Sequence, residues 1–146
     1  MKHLLSVICL MSLASLLTFA QADLPPGSIK LLPGYQHKRG HGIDSTVGVI
    51  WKTGGLLMEY DIGAMAGDYT HCPPCGWSRS EEIWRKKRVI NGQRAVCVLT
   101  KKKTTKTLFV SFPELDANFF AVVRTDSDSA DMFQMLSTFQ PIDLPR

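Results

Sequence analysis

Residues 82–101 read EIWRKKRVI-NG-QRAVCVLTK. Asn91-Gly92 sits between two runs rich in β-branched and apolar residues. An Asn-Gly pair supplies two residues that tolerate positive φ, as a two-residue hairpin turn demands, so 82–90 and 93–101 are expected to pair as antiparallel neighbours. Ala95, Cys97 and Leu99 then share one face of the second strand. Which face that is depends on the turn, because a bulged three-residue connection slips the register by one and exchanges the faces.

The pattern continues in both directions. Downstream, TKTLFVSF (105–112) and NFFAVVR (118–124) are aromatic and β-branched, joined through Pro113-Glu114-Leu115-Asp116, and suit a half-buried pleated surface. The period then changes: after the N-cap candidates of 126–129, Met132, Met135, Leu136 and Phe139 recur at helical spacing, and Pro141 stops the helix. Upstream, Val47, Val49 and Trp51 share one face with Thr46, Gly48, Ile50 and Lys52 on the other, Thr53-Gly54-Gly55 supplies a turn, and Leu56, Met58, Tyr60 and Ile62 alternate with Leu57, Glu59 and Asp61. Residues 63–80 break the alternation with Gly63, Gly67, Pro73 and Pro74 and predict a long excursion. Residues 23–45 read as an extended lead-in in which only 29–32 could pair as a short strand. Strands joined by short turns and closed by a helix predict an α+β fold: an antiparallel β-sheet of about five to seven strands with a C-terminal amphipathic helix packed on one face, one domain over 46–146.

The first 22 residues, MKHLLSVICLMSLASLLTFAQA, set one lysine before an apolar run and end on Ala20-Gln21-Ala22. This is the pattern of a secretory signal peptide, which predicts a secreted or periplasmic protein with no membrane span after cleavage. Cys9 leaves with the signal. Cys72, Cys75 and Cys97 remain in a compartment that favours disulfides, and their odd count leaves one thiol over unless a metal or second chain takes it. The 146-residue chain carries a formal net charge of +4, too small a bias to imply nucleic acid.

The excursion holds DYTHCPPCGWS (68–78). Cys72-Pro73-Pro74-Cys75 admits three readings: a disulfide clip, a thiol-redox centre, or a metal site with His71. A redox centre of the thioredoxin kind needs an apolar strand delivering the motif and a helix leaving it, and loop-like residues flank it on both sides. A bond between cysteines so close in sequence gains little loop entropy, so Cys97 is a competing partner for either. His71, Cys72 and Cys75, with His37, His41 or Cys97 completing the shell, would suit zinc or cuprous copper, although a structural site normally shows a second clear ligand pair. Covalent haem is excluded because Gly76 stands where that motif needs histidine.

Arg85, Lys86, Lys87 and Arg88 on one hairpin strand, and Lys101, Lys102 and Lys103 with Lys106 at the next turn, could form an anion-binding patch for polysaccharide, lipid head groups or an acidic partner. Against this, consecutive charges on a strand point to both faces, and edge lysines keep sheets from aggregating. No serine sits on a nucleophile elbow, the pair Glu59 and Asp61 fits a polar outer face, and no phosphate loop or dinucleotide fingerprint occurs. No catalytic residue and no cofactor is therefore assigned.

The stretch FVSFPELDANFFAVVRTDSDSADMFQMLSTF (109–139) resembles the closing strand–strand–helix of the PsbP-like proteins and their bacterial secreted relatives. That resemblance implies fold order and a small accessory or binding protein, and carries no catalytic motif onto these residues. The expectation is an exported, non-enzymatic binding or accessory protein of the cell envelope, meeting an envelope protein or an anionic surface. The alternative is a thiol-redox or metal-handling protein acting through Cys72 and Cys75.

Overall fold

The computed structural model describes residues 24–64, 66–71 and 77–141. Seven strands form one sheet: β1 (Gln36–Arg39), β2 (Thr46–Trp51), β3 (Leu57–Ile62), β4 (Glu82–Ile90), β5 (Gln93–Lys102), β6 (Thr105–Phe112) and β7 (Ala117–Val122). Among the described residues a single α-helix, α1 (Asp126–Leu136), follows them. The fold is α+β, and every strand pair is antiparallel. The signal-peptide reading of residues 1–22 falls outside the described residues.

The Asn91-Gly92 turn is the two-residue form. Ile90 pairs with Gln93, and both turn residues have positive φ, +47° and +76°, which matches the right-handed twist of the flanking strands. That register places Ala95, Cys97 and Leu99 on the side where α1 packs. Leu108, Val110 and Phe112 of β6, Phe119 and Ala121 of β7, and Met58, Tyr60 and Ile62 of β3 join them in one apolar cluster with Met132, Met135 and Leu136 of α1 and Phe139 just beyond it. Phe112, Phe119 and Phe139 meet pairwise with ring centroids 5.1–6.0 Å apart, distances at which edge and tilted contacts add to simple burial.

The helix starts one residue earlier than the cap candidates at 126–129 suggested. Thr125 is the N-cap: its hydroxyl accepts from the Asp128 amide at 3.2 Å, and the Asp128 carboxylate accepts from the amides of Thr125 and Arg124. This reciprocal box satisfies orphan donors at the first turn.

The strand order explains the long excursion. β3 lies in the middle of the sheet and β4 at its far edge, with β7, β6 and β5 between them. Four antiparallel steps separate the two, so β3 and β4 run parallel, and a chain linking parallel strands must return the length of the sheet. Adjacent strands are about 4.8 Å apart, so the connection also crosses about 19 Å sideways. The described parts of this connection, 66–71 and 77–81, lie on the face opposite α1. They act as a strap: Tyr69 packs on Phe120 and Trp77 on Phe109, centroids 5.8 Å apart in each pair, above Val98.

The strand in the lead-in is Gln36–Arg39 rather than 29–32. Pro33 follows Leu32 and Gly34 adopts φ +82°, which turns the chain before a strand can begin. β1 then pairs with β2, Arg39 opposite Gly48. Glycine is required there, since a Cβ at 48 would lie 2.3 Å from the Tyr60 hydroxyl and 2.6 Å from the Lys38 carbonyl oxygen. Ile29 and Tyr35 of the lead-in are buried in the core, and Tyr35 donates to the Asp131 carboxylate of α1 at 2.7 Å. Burial first, then Asp131, pushes the Tyr35 phenol well above its ordinary range. Among the described residues no helix is long and apolar enough to cross a membrane.

Candidate functional site

Two regions carry the chemistry that the sequence singled out: the strap, on the face opposite α1, and the β4–β5–β6 corner at the sheet edge.

Buried Asn118 of β7 anchors the strap. Its amide nitrogen donates to the Gly67 carbonyl at 2.7 Å and its oxygen accepts from the Tyr69 amide at 3.2 Å. Asn118 stands in a cross-sheet row, Asp61 on one side and Ser111 on the other. The Tyr69 hydroxyl donates to Asp61 at 2.7 Å; burial, together with that carboxylate, raises the Tyr69 phenol to about 12. Glu59 and Asp61 do share the face opposite Tyr60, but Asp61 is a strap anchor rather than half of a catalytic pair. Farther along, Thr70 is fully buried, and its carbonyl accepts from Arg85 of β4 at 2.7 Å. Arg85 also grips Glu82 through two nitrogens, at 2.7 and 3.2 Å, and this hydrogen-bonded pairing holds the Glu82 carboxyl below its ordinary range. Arg85 is therefore already occupied with internal partners.

His71 is exposed, and its Nδ1 lies 2.5 Å from an Asp68 carboxylate oxygen. Burial alone would raise the Asp68 pKa, but hydrogen bonds from the Thr70 hydroxyl and amide and from His71 outweigh it, and the net direction is down. Asp68 thus fixes the His71 ring through one nitrogen and leaves Nε2 outward. Cys72 and Cys75 lie outside the described residues. Cys97 is a free thiol, fully buried, and burial pushes it up to about 11. It faces α1, whereas Trp77, on the far flank of the cysteine motif, packs on the opposite face of the sheet. Cys97 is accordingly a core residue. His37 is also on the α1 side, its Nε2 2.8 Å from the Tyr60 hydroxyl, so the structure does not bring it to His71. Among the described residues no group of three metal-ligating side chains occurs.

The basic residues divide as strand alternation requires. Arg85 and Lys87 pair with Val98 and Val96 on the strap side, and Lys86 and Arg88 pair with Cys97 and Ala95 on the α1 side. Arg88 lies over the Phe133 ring of α1, 5.0 Å from its centroid, and the Lys86 ammonium lies 5.3 Å from the centroid of Trp84. Lys103 takes φ +55° in the two-residue turn between Lys102 and Thr105, and that turn sets Lys101 directly opposite Lys106. Like charges in that position repel. One step down the same face is the row Trp84, Leu99, Leu108, and next to it Lys86 beside Cys97. Lys86 therefore flanks the half-buried Trp84, and Lys101 and Lys106 lie one step along the same face. Among the described residues none of the three forms an ion pair. Lys102 points to the other face.

Two members of this cluster are hard to find by reading along the chain. Trp84 looks like an ordinary strand aromatic, and the opposition of Lys106 to Lys101 depends on the turn length.

No family model, no characterised protein and no solved structure matches the chain, so the likeness to PsbP-like proteins rests on the order of its last three elements.

Proposed function

We propose that the protein is an exported, non-catalytic binding protein of the cell envelope that holds an acidic polysaccharide on the lysines around Trp84. The observation that carries this reading is the cross-strand pair Lys101 and Lys106, two like charges face to face, neither in an ion pair among the described residues. Such a pair costs stability in the free protein and is relieved when an anion bridges it. Lys86 is paired with Cys97, four residues before Lys101, so the two are about 14 Å apart along the strand direction. A single carboxylate or phosphate cannot touch both, whereas a chain of repeating anionic groups can. Trp84 holds the Lys86 ammonium in place through its ring face, which lowers the entropy lost on binding. Export rests on the pattern of residues 1–22.

The test is calorimetric titration with polygalacturonate and dextran sulfate, and with neutral dextran as control. Binding to the two polyanions that weakens as salt rises, and falls at least tenfold in a Lys101→Glu/Lys106→Glu variant with unchanged circular dichroism, supports the reading. Equal binding to neutral dextran, or polyanion binding indifferent to salt and to the charge reversal, refutes it.

A second reading is favoured by the Asp68–His71 contact. A histidine whose one nitrogen is held by a carboxylate is oriented to use the other on a metal, and Cys72 is the next residue. A zinc or cuprous copper site on His71, Cys72 and Cys75 predicts that bound metal, counted by native mass spectrometry, is lost in His71→Ala. Metal stoichiometry unchanged in that variant excludes the histidine from any such site.

A further inference from the structure

A groove of about 450 Å³ opens on the strap side of the sheet at the Asn91-Gly92 end. Its walls are Lys87 and Val89 of β4, Arg94 and Val96 of β5, and Pro113 and Glu114 of the 3₁₀ turn that follows β6. The volume lies in the range of small-molecule sites. The groove is on the face opposite the Trp84 lysines and well along the strands from them, so it is a separate feature.

Two properties identify what it suits. The floor is apolar: Val89, Val96 and Pro113 line it, and Val89 is left 71% exposed, an unusual position for a β-branched side chain on the face of a sheet. The polar groups at its rim are mostly cationic. Lys87 has no ion-pair partner among the described residues, and Arg94 pairs with Glu114 by one guanidinium nitrogen while retaining further donors.

We infer that this groove binds a small amphipathic carboxylate, its aliphatic chain laid over Val89, Val96 and Pro113 and its anionic head between Lys87 and Arg94. An apolar ligand without charge would leave Lys87 unused, and a small inorganic anion would leave the valine floor bare. An aliphatic chain with one terminal carboxylate satisfies both at once.

The experiment uses 8-anilinonaphthalene-1-sulfonate, a fluorescent amphipathic anion, as the probe, with decanoate and decanol as competitors. Lys87→Glu and Val89→Asp alter exposed side chains, so both variants are expected to fold, as circular dichroism verifies. Leu57→Asp alters a half-exposed side chain elsewhere on this face and serves as control. The expected result is a probe dissociation constant raised at least tenfold in Lys87→Glu and in Val89→Asp and unchanged in Leu57→Asp, with decanoate displacing the probe at least tenfold more effectively than decanol. Probe affinity unaltered in the two groove variants, loss of binding in Leu57→Asp, or equal competition by decanol each overturns the inference. The Lys101→Glu/Lys106→Glu variant is expected to bind the probe normally, so failure here leaves the polysaccharide reading standing, and the reverse.

Discussion

Replacing Lys101 by glutamate turns the repulsion with Lys106 into an attraction, and the effect can be worked from the register. Opposed residues on neighbouring strands have Cβ atoms about 5 Å apart, and long side chains relax their charges to about 7 Å. In water, two unit charges at that distance interact by about 0.6 kcal/mol. Reversing one sign changes the pair energy by about 1.2 kcal/mol before screening. With Debye lengths of about 30 Å at 0.01 M salt and 8 Å at 0.15 M, the expected gain in folding stability is about 1 kcal/mol and about 0.5 kcal/mol respectively, vanishing near 1 M. Urea unfolding of wild type and Lys101→Glu at the three salt concentrations measures it. The unusual feature is the combination: a variant that folds more stably yet binds polyanions less well, as expected where a charge arrangement serves binding rather than folding. Equal or lower stability of the variant at 0.01 M salt, or a gain that does not shrink with salt, refutes the reasoning.

Asn118→Ala removes both hydrogen bonds that tie the strap to the sheet and leaves the Gly67 carbonyl and Tyr69 amide without their partner; the expected cost is about 3 kcal/mol, read as a lower urea midpoint together with faster amide exchange at 66–71. Cys97 predicts a pH effect: its thiol is raised to about 11 in the folded chain from the ordinary 9.0. The unfolded state therefore loses its proton first, and stability falls as pH climbs from about 9 toward 11. Cys97→Ala should remove this component of the alkaline slope, and the native thiol should resist a thiol reagent at pH 8 until urea is added. Gly48→Ala drives a Cβ into the Tyr60 hydroxyl and the β1 backbone, so β1 must shift, at about 2 kcal/mol, measurable as a lower melting temperature. Thr125→Ala deletes the N-cap of α1, and the expected loss is about 1 kcal/mol in the same assay.

Most of the sheet could be read from local pattern. Asn91-Gly92 and the alternation on each side of it gave the β4–β5 pair, and the change of period after residue 125 gave α1. β1 was not legible, because Gln36-His37-Lys38-Arg39 has no apolar alternation; it is a strand since its backbone finds β2 beside a glycine that lets it approach Tyr60. The length of the 63–80 excursion was visible, but its purpose follows only from the strand order, which sends the chain from mid-sheet to the far edge. The same non-local information decided the sites. Cys97 could be a loop anchor or a core thiol until the turn fixed its face. The basic residues of 85–88 look like one patch in sequence, yet alternation divides them: Arg85 is consumed by Thr70 and Glu82, Arg88 lies against α1, Lys86 joins Trp84, and Lys87 borders the groove. Asn118 carries no sequence signal at all, being a polar residue inside a strand whose hydrogen-bond partners, Gly67 and Tyr69, come from a distant part of the chain.

The most direct test of the account is the affinity of the protein for polygalacturonate at 0.02 M and 0.15 M salt, measured for wild type and for Lys101→Glu/Lys106→Glu. The account predicts saturable wild-type binding that weakens severalfold between the two salt concentrations and drops at least tenfold in the variant. Wild-type binding that is absent at 0.02 M salt, or identical in the variant, contradicts it.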